Sequence, residues 1–345
     1  MNIVYSSSDS YAMICGVSLL SLLFNNKEEK VLDVYIVDNG ISKENKVKLV
    51  NTALEFNRKL TFLPKPDLEK LTGVSIYTGQ WNIATFFRLF LDKLLPESCE
   101  KVLYLDCDMI VRHSLHEIYN LDLGNCLCAG ADDCRCNLYR KELGLGNDSA
   151  YINNGFLLIN LIKWREYNPS QTFLDYIHHF NGDITYMDQG VLNAILSKKG
   201  LVKVIQPKYN AQRIFFDFSY DEIMKLRKPE NHCTREEYEE AVTDPVVVHF
   251  TPTFITGTRP WEVGDNHKFT PEWLKYKDMS LWKDEPLREY HPVKKKKMIH
   301  DFVIKNNRSF VIKVASIAHS NVYPKIRMQK DKKNSKLVKK EDSKK

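Results

Sequence analysis

Lys101-Val-Leu-Tyr-Leu-Asp-Cys-Asp-Met109 is the stretch around which the chain is organised. Val102–Leu105 is a short, uninterrupted apolar run, the pattern of a buried strand. It runs into Asp106 and Asp108. Side chains alternate along a strand, so residues i and i+2 share a face. Strand geometry carried through this stretch points both carboxylates the same way. Two carboxylates held together repel unless a cation lies between them, and carboxylate oxygens are the ligands that Mg²⁺ and Mn²⁺ take. Such an ion also binds diphosphate oxygens and so serves a phosphate leaving group. Asp-x-Asp is equally the composition of solvated loop acids or helix caps, and the surrounding chain has to choose between the two.

Toward the N-terminus, Ile3–Tyr5 is a strand entering a Ser-Ser-Ser-Asp-Ser loop. The next helix carries Ile14, Val17, Leu20 and Phe24 at helical spacing. Val31–Val37 is a strand closed by Asp38-Asn39-Gly40, Ser42 caps a helix to about residue 57, and Leu60–Leu63 is a third strand. This βαβαβ order predicts a parallel sheet covered by helices, with ligands at the carboxyl ends of the strands. The Ser6–Ser10 loop is then a nucleotide-site candidate, although it carries neither G-x-G-x-x-G nor a Walker motif.

Trp81–Leu95 has helical periodicity with Thr85 and Arg88 one turn apart; Arg88 meets either a phosphate or a surface carboxylate. Cys126–Ala131 is a strand ending in Asp132-Asp133, and residues 134–150 have loop composition. Ile152-Asn-Asn-Gly155 precedes an apolar strand, Phe156–Ile159. Ile162–Phe180 is helical with a break near Pro169, and Asp188-Gln189 opens a helix over 190–197. An acid at that position is favoured by the helix dipole, as a cap or as a functional group. Val246–Val248 is a strand that ends at His249. An imidazole there is either structural or completes an O,O,N set suited to Mn²⁺.

Length and composition set the frame. The chain has 345 residues, enough for a sizeable core in one large domain or two. Residues 294–345 hold 17 Lys/Arg against 4 Asp/Glu, a local charge of +13, which leaves −7 on residues 1–293. Basic tails of this kind meet anionic partners. Three segments follow: a catalytic body over 1–285, a basic amphipathic helical segment over 286–324, and a disordered Lys-rich tail over 325–345. The middle segment begins near the four lysines 294–297 and carries Ile299, Phe302, Val303, Phe310, Val314, Ile317 and Ala318 at helical spacing. It lies on a membrane surface or packs on the body. No signal peptide or membrane-spanning run is expected, which predicts a cytoplasmic protein, peripheral on the inner membrane face. The pairs Cys126/Cys128 and Cys134/Cys136 depart from zinc-site spacing and are expected to be reduced thiols. The last 20 residues contain no aromatics, so nucleic-acid binding is not expected.

Three motifs together resemble glycosyltransferase family 8, whose members include bacterial lipooligosaccharide galactosyl- and glucosyltransferases and, more distantly, glycogenin. They are Lys-Val-Leu-Tyr-Leu-Asp-Cys-Asp at 101–108, Asn-Asn-Gly-Phe-Leu-Leu-Ile-Asn-Leu-Ile-Lys-Trp at 153–164 and Met-Asp-Gln-Gly-Val-Leu-Asn at 187–193. The resemblance covers about residues 1–275. It implies an α/β GT-A fold, a single mixed sheet binding the nucleotide sugar, flanked by helices. It also implies metal-dependent transfer of a hexose from a UDP-sugar to a glycan or glycolipid, with retention of configuration. On that basis Asp106, Asp108 and His249 would hold Mn²⁺ (or Mg²⁺). Arg88 would meet the diphosphate or the sugar, and Asp132, Asn153, Asp188 and Gln189 would line the sugar. Ser6, Ser8 and Tyr11 would hold the uridine. Gln189 and Asp188 would stabilise the oxocarbenium-like anomeric carbon, Gln189 as a shield or a nucleophile. Two departures stand out. Ser8 replaces the usual aspartate of the nucleotide loop, and the His-x-x-Gly…Lys-Pro-Trp motif is lengthened here to His249…Gly257-Thr-Arg259-Pro-Trp261. Arg259 can still hold phosphate, bidentately where lysine offers a point charge. Alternative readings are a protein glycosyltransferase, a glycogenin-like self-glucosylating enzyme, or a non-catalytic nucleotide-sugar-binding protein at the membrane.

Overall fold

In the computed structural model, which describes residues 1–79, 82–230, 232–255, 257–291, 298, 302–303 and 305–326, the run that opened the sequence reading is the centre of the main sheet. The strands are β1 (Asn2–Ser7), β2 (Asp33–Asp38), β3 (Lys59–Pro64), β4 (Lys101–Leu105), β5 (Met109–Val111), β6 (Cys128–Ala131), β7 (Phe156–Asn160), β8 (Val202–Ile205), β9 (Ala211–Gln212) and β10 (Val247–His249). Seven of them form a sheet in the order β3-β2-β1-β4-β7-β6-β8. The βαβαβ half is parallel, and β7 runs antiparallel to both β4 and β6, so the sheet is mixed. Strand order reverses between β1 and β4, which opens a crevice at their carboxyl ends, the place where sheets of this kind take ligands.

β4 is covered on both faces, which is why it reads as unbroken Val-Leu-Tyr-Leu rather than as an alternation. One face of the sheet packs on the helix Ala12–Asn25, whose first twelve residues are all buried. The other packs on Ile83–Phe90 and the helices Pro169–His179 and Met187–Leu196.

A second, three-stranded sheet, β5-β10-β9, was not foreseen from the sequence. Its strands have only two or three residues each, below the length at which alternation can be read. It adjoins a layer of helices, Ile214–Asp217, Tyr220–Arg227 and Arg235–Thr243, with its own apolar cluster. Next to the end of β10, His267 is buried among Phe216, Phe250 and Phe269. Burial first, and the neighbouring Arg213 second, push its pKa down to about 3. The unfolded chain would bind that proton near the ordinary value of 6.5, so stability is full above about pH 6.5 and is lost as pH falls toward 3. Thermal melts across this window should show a falling acid limb, shallower in His267→Gln; equal slopes would assign the limb to other groups.

Local expectations changed in three places. Residues 83–90 form 3₁₀ turns before a short α-helix, Leu91–Leu94, and Trp81 lies outside the described residues. The stretch 134–150 contains a helix, Asn137–Glu142, made invisible by its density of charge and glycine. The helix that Asp188-Gln189 was to open begins at Met187, placing both residues in its first turn rather than at the cap. In the C-terminal segment, Arg308–Ile317 is helical and packs on Tyr220–Arg227, burying Val311, Ile312 and Ser316. Lys294–Lys297, Ile299 and residues 327–345 lie outside the described residues. No described helix is long and apolar enough to cross a membrane.

Candidate active site

Asp106 and Asp108 converge, but not by strand alternation. β4 stops at Leu105, and the chain bends through Asp106-Cys107-Asp108 into β5. Antiparallel pairing of β5 with β10 sets His249 opposite Met109, and the Phe250 N–H donates to the Asp108 carbonyl at 2.9 Å. The second sheet therefore delivers the imidazole. His249 Nε2 lies 3.1 Å from Asp108 Oδ1 and 3.8 Å from Asp106 Oδ2. Among the described residues these three form the one group of carboxylate, imidazole or thiol ligands gathered closely enough for a metal, with ligand atoms within 4.8 Å of one another.

Two features fit this group to a hard divalent ion. His249 Nδ1 faces Asn210 Oδ1 at 2.9 Å. An amide oxygen can only accept, so Nδ1 carries a proton and Nε2 is the nitrogen left to face the carboxylates and an ion between them. The floor of the group is Gly155, where a Cβ would lie 2.4 Å from His249 Cε1 and 2.8 Å from Asp106 Oδ2. Glycine is required there because any side chain would occupy the space of the cluster.

The carboxylates are oriented by arginines. Arg88 Nη2 donates to Asp106 Oδ1 at 2.8 Å, and its Nε lies 3.2 Å from Asp188 Oδ2. It also donates to the Asn154 carbonyl and stacks on Tyr104 at 4.4 Å. Arg88 is 3% exposed, so it meets neither a surface carboxylate nor open solvent. Arg259 Nη1 donates to Asp108 Oδ2 at 2.8 Å. Burial opposes ionisation of Asp108, yet His249 and Arg259 outweigh it and hold the carboxyl well below the ordinary range. Burial raises the pKa of Asp188, with Arg88 opposing.

The other two motifs dock against each other. The Asn193 amide pairs with both backbone groups of Ile152, at 2.9 Å each, as a neighbouring strand would. That clamp ties the helix Met187–Leu196 to the Asn153-Asn154-Gly155 segment. Its start is tight: Tyr186 and Met187 have φ of 64° and 57°, and a Cβ on Gly190 would lie 1.9 Å from the Thr185 carbonyl oxygen. From the first turn Gln189 Nε2 donates to Asp133 Oδ2 at 2.7 Å, and Gln189 Oε1 accepts from Asn153 Nδ2 at 3.2 Å. A carboxylate cannot donate, so the amide's orientation is settled: its oxygen turns toward Asn153.

A cavity of about 690 Å³, within the range of small-molecule sites, is lined by Arg88, Asp106, Asp108, Asn153, Asp188, Gln189, His249 and Arg259. The other expected residues stand elsewhere. Asp132 is engaged by Arg140 at 3.1 Å and His232 at 2.9 Å, and its neighbour Asp133 lines the cavity instead. Ser6 accepts through its carbonyl from Cys107 Sγ at 3.3 Å, and Ser8 Oγ pairs with Ser10 Oγ at 3.2 Å. Tyr11 packs edge-on to Trp261 at 6.3 Å, placing the first loop beside the metal-type cluster but outside this cavity. Gly257 lies under the Tyr290 hydroxyl, where a Cβ would sit 1.8 Å away. Sequence reading missed Asp133, Arg135, Tyr139, Tyr151, Tyr186 and Arg227. The Asp-Asp pair ending a strand was the signal for Asp133. For Arg227, more than 90 positions further on, there was no local signal.

Comparison with known proteins bears on the family and the fold. General stress protein A of Bacillus subtilis (strain 168) is 27% identical over 285 residues, covering 82% of this chain and 94% of the relative. Lipopolysaccharide 1,2-glucosyltransferase of Escherichia coli (strain K12) is 25% identical over 299 residues, covering 84% and 81%. The crystal structure of galactosyltransferase LgtC in complex with donor and acceptor sugar analogs superposes with a TM-score of 0.68 at 22% identity. That superposition covers 87% of this chain and 100% of LgtC, and it shows the shared GT-A architecture. The family profile described as glycosyl transferase family 8 matches residues 2–263, so the chain belongs to that family.

Proposed function

We propose that this chain is a metal-dependent, retaining hexosyltransferase that moves glucose or galactose from a UDP-sugar to a glycolipid or cell-surface glycan precursor. The observation that carries the reading is the meeting of Asp106, Asp108, His249 and Arg259 with Asp188 and Gln189 in one cavity. Asp106, Asp108 and His249 would hold Mn²⁺ or Mg²⁺, which supplies Lewis-acid stabilisation of the leaving diphosphate. Arg259 meets the charge that develops there. Gln189 and Asp188 project from the first turn of their helix into the cavity that would hold the sugar. The Gln189 oxygen, held by Asn153, offers a neutral dipole to an oxocarbenium-like carbon, and Asp188 offers charge when ionised. A neutral amide is a poor nucleophile, so shielding of a same-face return fits Gln189 better than covalent attack. The test is UDP release by the purified chain with Mn²⁺, offered UDP-glucose, UDP-galactose and the two N-acetylated UDP-hexosamines in turn. Release from one hexose donor, lost on chelation, is expected. Chelator-insensitive release, or none from any donor in the presence of candidate acceptors, would sink the reading.

Arg88 and Arg259 already pair with the two carboxylates. Mn²⁺ alone therefore meets little net negative charge, and the UDP diphosphate supplies the rest. Calorimetry should show Mn²⁺ binding at least about tenfold tighter with UDP than without, a coupling of roughly 1.4 kcal/mol.

The inner face of an anionic membrane is the proposed location. The helix Arg308–Ile317 buries Val311 and Ile312 on the body but leaves Phe310, Val314 and Ile317 exposed by 51%, 38% and 49%. These share one outward stripe, with Lys305, Lys313 and Lys325 in the same segment. An apolar face flanked by lysines suits an anionic bilayer surface. Cosedimentation with phosphatidylglycerol vesicles should fall at least about tenfold for the Phe310→Ser/Ile317→Ser double variant. Equal cosedimentation would remove the helix from the contact.

A further inference from the structure

Beyond Gln189, the cavity ends in a pair of arginines that the transfer chemistry leaves unused. Arg135 and Arg227 both line it. Arg135 is accounted for: its Nε donates to Asp133 Oδ2 at 2.9 Å, the oxygen that also accepts from Gln189, and its guanidinium lies over Tyr139 at 5.2 Å. Arg227 has no carboxylate within ion-pair distance among the described residues. Its Nη1 approaches the two ring nitrogens of His319 at 3.1 and 3.0 Å, and an imidazole offers a lone pair at most, not a counter-charge. Its Nε is shut off from water with no acceptor. Among the described residues Asp133 is the carboxylate that faces both guanidiniums, and Arg135 takes it at ion-pair distance, which leaves Arg227 without a paired counter-charge of its own. Burial, reinforced by the facing Arg135, pushes Arg227 down to about 10. An arginine keeps its proton at neutral pH all the same, so the unfavourable charge is relieved by an anion rather than by deprotonation.

The surroundings suit a sugar. Tyr139 and Tyr186 stack with centroids 5.0 Å apart, and Tyr139 stacks in turn on His319 at 4.7 Å, giving an aromatic column beside the two guanidiniums. His319, which belongs to the turn following Arg308–Ile317, backs both Tyr139 and Arg227, so the C-terminal segment packs against two residues of the cavity lining. Arg135 shares Asp133 with Gln189, which sets the arginine pair next to the residue that would face the anomeric carbon and away from the metal-type cluster.

We propose that Arg227 and Arg135 form an acceptor subsite selective for a sugar bearing an anionic group, a phosphate ester or a carboxylate. The proposal rests on the transferase reading of the cavity and adds the charge class of the acceptor. A planar guanidinium binds both groups bidentately, so the two sources are separated by experiment.

The full-length chain, saturated with UDP and Mn²⁺ to fill the donor site, is titrated with galactose, galactose 6-phosphate and galacturonic acid. Wild type should bind at least one charged probe about tenfold or more tightly than galactose. The tighter of the two names the group. Arg227→Gln should bring the charged probes down to the neutral one, and Arg227→Lys should recover part of the preference through its point charge. Equal affinity for all three probes, no binding of either charged probe, or a preference that survives in Arg227→Gln overturns the subsite. UDP release is measured on the same wild-type preparation. Sugar release without charge preference refutes the subsite alone. Charge preference that depends on Arg227, in a protein that releases sugar from no donor, supports the anion site and overturns the transferase reading.

Discussion

Asp108→Asn is expected to lower sugar transfer on the order of 10³-fold while leaving the fold intact. The carboxylate of Asp108 touches both His249, at 3.1 Å, and Arg259, at 2.8 Å. Asparagine keeps the shape and one acceptor oxygen but removes the charge that binds a divalent ion. It also removes the negative group that sets the pose of Arg259, so the diphosphate loses two stabilising partners at once. The melting temperature should fall as well, because the Asp108 side chain is only 17% exposed and its neutralisation leaves the 12% exposed Arg259 without its carboxylate. Steady-state transfer and Mn²⁺ titration of the folded variant measure this directly. A variant that binds Mn²⁺ normally and transfers at full rate would remove Asp108 from the reaction.

Gly155→Ala is the second large effect, and it acts through volume alone. The added methyl would lie 2.4 Å from His249 Cε1, 2.8 Å from Asp106 Oδ2 and 3.0 Å from Asn153 Oδ1. None of these can yield cheaply. His249 is 3% exposed on a paired strand, Asp106 is tethered by Arg88, and Asn153 is held by Gly155 N and Asn210 at 3.0 Å each. Overpacking of this kind costs about 1–3 kcal/mol. Displacing a ligand set by a few tenths of an ångström should cost about 10²-fold in activity and weaken Mn²⁺ binding in parallel. Calorimetric Mn²⁺ titration alongside thermal melts separates the two outcomes. A stable variant with unaltered Mn²⁺ affinity would show that the cluster does not close over Gly155 in solution.

Both predictions concern residues that the sequence marked, yet for reasons that differed from the geometry. Asp106 and Asp108 were expected to align by strand alternation; in the structure a bend after β4 aligns them, together with β10 pairing to β5. Asp188 was weighed as a helix cap and instead pairs with Arg88 and Asn154 inside the first turn. The Asn153–Gly155 and Met187–Asn193 motifs were legible as separate segments. Their link, the Asn193 amide on Ile152, spans 41 residues and leaves no periodic trace.

Local physics was enough for the parallel βαβαβ half, the helix around Ile14–Phe24, the buried run at Val102–Leu105 and the acids that follow it. Periodicity, turn chemistry and apolar runs act within a few residues, so a single chain displays them openly. The pairing of the short strand ending at His249 with β5 and β9, the engagement of Asp132 by Arg140 and His232, and the arrival of Arg135 and Arg227 at one cavity were decided only in the folded state. Each depends on contacts between residues far apart in the chain, whose free energy comes from burial and pairing that no local window contains.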